Sequence, residues 1–201
     1  MQNKLLPFLE LLLLSSLLLN SCNKTNFYAD AENNGLAIFS NTGNNIFTCY
    51  VNGQPWRTQN RTTGSLSGPI SEVHLSIQPD SSLRTYLVIS WYGFFKNNNF
   101  NVGFISLYLS VPAGFSSNDL NNFEDKRILL DTTIGYVIAN IDGITNNTLG
   151  VGTGSIYFNR ANYDPTSSSG ELSGLLEADF PSFKITNGRF DHQLTPFQVN
   201  F

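Results

Sequence analysis

From about residue 46 onward the chain alternates between apolar and polar positions. Val73-His-Leu-Ser-Ile77 alternates over its whole length, which predicts a half-buried strand. Glu171 to Phe180 carries the same signature: Leu172, Leu176, Ala178 and Phe180 fall on one face, and Glu171, Ser173, Glu177 and Asp179 on the other. Ile46 to Val51 reads as a strand with Phe47, Cys49 and Val51 on one side. The Asn52-Gly53 that follows is a hairpin signal, because both residues tolerate positive φ. Pro55 on the returning strand removes a ladder donor and predicts an edge position.

Arg84 to Tyr92 is apolar on both faces, with Leu87, Ile89 and Trp91 against Tyr86 and Val88, as in a central, doubly covered strand. Val102 to Val111 puts Ile105, Leu107, Leu109 and Val111 on one face. Further strands are predicted at 36–40, 128–130, 135–140, 154–159, 183–191 and 197–201, with a single helical turn within 117–124. Polar turns separate them, and 57–69 reads as a long polar loop. Eight to ten short strands, with neither repeat nor break in composition, predict one all-β domain, an antiparallel β-sandwich or β-barrel.

The start of the chain follows a different pattern. A short polar segment containing Lys4 precedes a leucine-rich run from Leu5 to Leu19, which ends in Asn20 and Ser21. That order of charge, apolar run and small residues is the layout of a secretory signal peptide. A membrane-spanning helix fits less well, because Leu11 to Leu19 is far short of the ~20 residues a bilayer requires, and Pro7 and Glu10 interrupt the longer version. Leu19-Asn-Ser-Cys22 resembles the lipobox of bacterial lipoproteins, in which the cysteine becomes the acylated first residue of the mature chain. Each buried methylene of such an anchor contributes roughly 0.8 kcal/mol, so several acyl chains hold a protein at the membrane essentially permanently. The expected organisation is therefore a signal peptide at 1–21, a lipidated Cys22 with a flexible tether to residue 35, and a β domain over 36–201. The alternative for Cys22 is a bridge to Cys49; acylation leaves Cys49 as a small core hydrophobe.

Composition narrows the functional classes. The net charge of −4 is unchanged by losing Lys4 and Glu10 with the leader, and the few Lys and Arg residues are scattered, so nucleic acid is not an expected partner. Sixteen Phe, eight Tyr and sixteen Gly suit short strands and tight turns.

Candidate chemistry is sparse. Gly64-Ser-Leu-Ser-Gly68 and Gly170-Glu-Leu-Ser-Gly174 place serine fourth, so neither is a nucleophile elbow. Gly152-Thr-Gly154 lacks the third glycine of a dinucleotide loop. Asp119 to Asp125 has neither the ligand spacing nor the central glycine of a calcium loop. His74 falls on the polar face of its strand. Asp191 and His192 are adjacent, so in a strand they point to opposite faces and cannot form an oriented acid–base pair. Glu177 and Asp179 share a face, and an exposed, solubilising role suits them better than paired glycosidase chemistry. No cofactor and no metal site is expected. The one suggestive stretch is Trp91-Tyr-Gly-Phe-Phe-Lys-Asn-Asn-Asn-Phe100, where Trp91, Tyr92, Phe94, Phe95 and Phe100 could contact a ligand or partner from a hairpin tip or plug one end of the core.

Phe47-Thr-Cys-Tyr-Val-Asn-Gly-Gln-Pro-Trp56 resembles the opening of small uncharacterised lipoproteins of the Bacteroidota. Gly154-Ser-Ile-Tyr-Phe158, Ser169 to Phe180 and Ile185-Thr-Asn-Gly-Arg-Phe-Asp191 are similar to their closing strands. Leu172 and Leu175-Leu176 depart from positions that are usually aromatic there. The resemblance implies a β fold and an envelope address, with no catalytic residues to carry over. The expectation is a lipid-anchored lipoprotein of the bacterial envelope, at the outer membrane, with a non-catalytic binding or structural role. Its partner would be a glycan or an envelope protein. The alternative is a lipocalin-like barrel carrying a small apolar molecule, and a glycan-active enzyme comes third.

Overall fold

The computed structural model describes residues 27–58, 73–95, 98–145, 149–196 and 198–201, with the backbone alone for 98–102. The expected signal peptide and Cys22 lie outside the described residues, as does most of the loop expected at 57–69. Asn52 (φ 49°) and Gly53 (φ 79°) both adopt the left-handed conformation that a tight hairpin requires. They join β1 (Ile46–Val51) to β2 (Gln54–Thr58). β3 (Val73–Pro79), β4 (Thr85–Phe95) and β5 (Asn98–Val111) then form a meander. A 3-10 turn at Ser117–Phe123 lies where a helical turn was predicted, with Asp119 accepting from the Ser116 backbone and hydroxyl. β6 (Lys126–Leu130), β7 (Gly135–Ile141), β8 (Gly150–Asp164), β9 (Ser169–Asp179), β10 (Lys184–Leu194) and the short β11 (Val199–Asn200) complete the chain.

Eight of these strands close into an antiparallel barrel in the order β4-β2-β1-β10-β9-β8-β7-β5, with β5 returning to β4. The closure has two narrow seams. One edge of β4 pairs with β3 over Thr85–Trp91 and with β2 only over Gly93–Phe95. One edge of β8 likewise pairs with β7 over Gly150–Gly152 and with β6 over Gly154–Phe158. β3 and β6 therefore splay off the barrel, and β11 adds to β3 in parallel. Of the two predicted architectures the structure is the barrel: eight antiparallel strands closed in one continuous sheet, with three further strands paired onto it.

Some boundaries differ from expectation. Residues 36–40 form no strand, only a bridge between Ala29 and Ala37. The alternation at 197–201 yields two strand residues. β2 is not an edge, since it lies between β1 and β4. Its pairing with β4 begins at Trp56, one residue beyond Pro55, so the missing N–H falls outside that ladder.

The expected tether is, from Phe27 on, part of the folded domain. Residues 27–45 form a strap over the outer face of β1 and β10. Arg189 donates to Asp30 and to the Ala37 carbonyl (3.0 Å), and the Ala37 amide donates to Thr48 Oγ1 at 3.1 Å. The Arg189 guanidinium holds the Asp30 carboxyl well below the usual carboxylate range. Asp191 accepts from the Ser40 hydroxyl and from the amides of Thr42, Gly43 and Asn44.

The barrel interior is packed with rings. Phe47 lies 4.8 Å from Trp91, Trp91 5.4 Å from Phe190, and Phe190 5.9 Å from Phe158, centroid to centroid. Leu75, Leu87, Ile89, Ile105, Leu107 and Leu172 fill the space around them. Gly174, between Phe158 on β8 and Phe190 on β10, permits this packing, because a Cβ there would stand 2.0 Å from the Tyr157 carbonyl oxygen and 2.5 Å from the Phe190 ring.

Candidate functional site

The five aromatic residues suggested by sequence do not form one exposed platform. Strand alternation sends Trp91 and Phe95 inward and Tyr92 and Phe94 outward. Trp91 is fully buried, and Phe95 pairs opposite Trp56 in the core. Phe94 is outside the barrel but covered: the Arg57 guanidinium sits 5.7 Å from its ring and 5.2 Å from that of Phe27. Tyr92 alone of the four is well exposed, at 39%. The side chain of Phe100 lies outside the described residues.

What the fold assembles around Tyr92 is a broader face. The outer sides of β4, β5 and β7 bring Tyr92 beside Phe104, Ser90 beside Ser106 and Ile138, and Val88 beside Tyr108 and Tyr136. Tyr108 and Tyr136 stack at 4.9 Å with planes 5° apart, and Tyr86 meets both edge-on at 6.1 and 5.7 Å. These rings bury Tyr86 and Val88 on what is nominally the outside. The double-sided apolar pattern of β4 thus has its cover, from neighbouring tyrosines rather than a second layer.

Within β4, β5 and β7 there is no Asp, Glu, Lys or Arg, and charge meets this face at its Tyr86 end, where the Arg84 guanidinium sits 5.4 Å from the ring. Partial burial pushes the Tyr108 and Tyr136 hydroxyls up in pKa, so they remain protonated donors at neutral pH. The stacked pair is partly exposed, and Tyr92 and Phe104, tilted 49° at 6.2 Å, extend the aromatic surface. Rigid amphipathic rings interleaved with serine and asparagine suit adaptable contact with an uncharged partner. Sequence reasoning missed Tyr86, Tyr108 and Tyr136 because they lie on three strands. The outward parity of Tyr86 and Tyr108 was the available signal.

The polar groups with catalytic potential are committed elsewhere. His192 points into the barrel and is fully buried, while its neighbour Asp191 points outward under the strap, the opposition that alternation predicts. Trp91 Nε1 donates to His192 Nε2 at 3.1 Å, so the neutral imidazole carries its proton on Nδ1. Burial holds the His192 pKa down to about 3 against the opposing pull of Asp191. Cys49 is buried and in no disulfide, and desolvation raises its thiol pKa far above the ordinary value. Glu177 and Asp179 are exposed, and Asp179 pairs with Lys184 at 3.1 Å. Ser173, expected on the polar face, is buried beside Asp191. Comparison with protein-family models, curated proteins and solved structures yields no match to this chain.

Proposed function

We propose that this chain is a lipoprotein of the bacterial envelope, held at the outer membrane through acylated Cys22, whose domain binds an uncharged partner on the outer face of β4, β5 and β7. The observation that carries the reading is the absence of formal charge from three adjacent strands whose outer side is partly exposed. An antiparallel sheet that merely faces water normally carries polar and charged residues there. Tyr92, Phe104, Tyr108, Tyr136 and Ile138 instead offer apolar and hydroxylic surface.

A neutral glycan suits this surface, with sugar C–H faces against Tyr92 and Phe104 and hydroxyls toward Ser90, Asn140 and the tyrosine rims. The anchor is supported by the Leu19-Asn-Ser-Cys22 motif at the end of the leucine run and by the resemblance to Bacteroidota lipoproteins. The carrier alternative has less support, because rings fill the barrel where an apolar ligand would sit. Catalysis has less support because His192, Asp191 and Cys49 are each buried and engaged in structure.

Co-sedimentation with isolated neutral surface polysaccharide tests the reading. Wild-type protein should be retained, and the Tyr92→Ser/Phe104→Ser protein should lose at least tenfold in apparent affinity. Equal retention of both proteins would refute the assignment of the face, and retention of neither would remove the glycan.

A further inference from the structure

The strap carries an apolar patch of its own. Tyr28, Ile38 and Phe39 are exposed at 56%, 44% and 41%, three large apolar side chains on one short segment. Tyr28 and Ile38 face each other across the segment: the Ile38 amide donates to the Tyr28 carbonyl at 2.8 Å, the Ala29–Ala37 bridge continues the pairing, and the next step of that register sets Phe39 opposite Phe27. The strap cannot swing away freely, because Asp30 is tied to Arg189 and Asp191 gathers the segment from Ser40 to Asn44. Each exposed side chain therefore holds a fixed position on the barrel.

The length of chain between this patch and the anchor decides what covers it. Only five residue steps separate Cys22 from Phe27, and a fully extended chain spans at most ~3.6 Å per residue, about 18 Å in all. An eleven-residue strand such as β9 is about twice that long. A lipid on Cys22 thus keeps the strap side of the barrel at the bilayer and leaves the far side out of reach. We infer that Tyr28, Ile38 and Phe39 form the surface on which the domain rests against its own membrane. Aromatic and aliphatic residues beside an acyl anchor have the chemistry of an interfacial contact, and a second membrane-directed element beside the lipid strengthens attachment. The inference rests on acylation of Cys22.

The test uses the full-length acylated protein reconstituted in vesicles of phosphatidylethanolamine and phosphatidylglycerol with brominated chains. A fluorophore is placed at exposed Asn41→Cys beside the patch, or at exposed Ser110→Cys on the outer side of β5, across the barrel from β1 and β10; buried Cys49 stays unlabelled. The label at 41 should be quenched several-fold more than the label at 110. Adding Tyr28→Ser and Phe39→Ser should lower that quenching without releasing protein from the vesicles. Equal quenching at 41 and 110, or quenching indifferent to the two substitutions, would overturn the inference while flotation with the vesicles upholds the anchor. Wild-type protein that fails to float removes anchor and inference together. A label at 41 shielded from aqueous iodide yet untouched by brominated lipid would mean that protein covers the patch, and would also overturn it.

Discussion

The Trp91 indole N–H donates to Nε2 of His192 across the barrel interior at 3.1 Å, joining β4 to β10 where no backbone ladder does. Both side chains are fully buried, and the imidazole must stay neutral to accept. A core that depends on a neutral histidine is sensitive to acid.

The sign of that sensitivity follows from the two states. The folded His192 pKa is about 3 and its ordinary value is 6.5, so between these pH values the unfolded chain binds more protons. The stabilising effect of the neutral ring is complete above pH 6.5 and is lost as pH falls toward 3. At about 1.4 kcal/mol per pH unit, unfolding free energy should drop by about 2 kcal/mol from pH 7.5 to pH 5 on this account. Urea titrations at the two pH values check it, and His192→Gln should flatten the slope.

Asp191 should govern the strap. Replacement by alanine leaves three backbone amides and the Ser40 hydroxyl without their acceptor, at a cost of about 2–4 kcal/mol. Hydrogen exchange should accelerate most in residues 36–45, while the amides of β8 and β9 keep protection set by global unfolding alone. Uniform loss across the barrel would count against a local role.

Gly174→Ala should be among the most damaging single substitutions. The added methyl meets the backbone carbonyl of Tyr157 and the Phe190 ring, and a clash with backbone cannot be relieved by a rotamer change. Overpacking of this kind typically costs 1–3 kcal/mol, and more where β8 and β9 must separate. Thermal unfolding should show it, with Gly53→Asn, at an open turn position where φ is positive, as a mild comparison.

Cys49 should be inert in the native state. It is fully buried and its thiol pKa lies far above neutral, so the reactive thiolate is scarce. A thiol reagent should find no reactive cysteine in folded acylated protein and one in denaturant. A rapidly reacting thiol before unfolding would show that Cys22 is unblocked.

Much of the barrel was legible because strand periodicity is a local property. The parity of Phe47, Cys49 and Val51, the left-handed Asn52-Gly53 turn and the opposed directions of Asp191 and His192 need only the two-residue repeat of an extended chain. Tertiary structure decided whatever depends on which strands are neighbours. Pro55 suggested an edge, yet the split partnership of β4 gives β2 a second neighbour one residue past the proline. Ser173 looked solvent-facing but is buried beside Asp191, and residues 27–35 looked like tether until Arg189 and Asp191, more than 140 positions away, captured the strap. The tyrosine face has the same origin: Tyr86, Tyr108 and Tyr136 are unremarkable one by one, and only the register of three strands stacks them. Sequence set the face each side chain takes, because that is written in the backbone repeat, while pairing across the barrel set what each one meets, because contact between distant residues exists only once the sheet has closed.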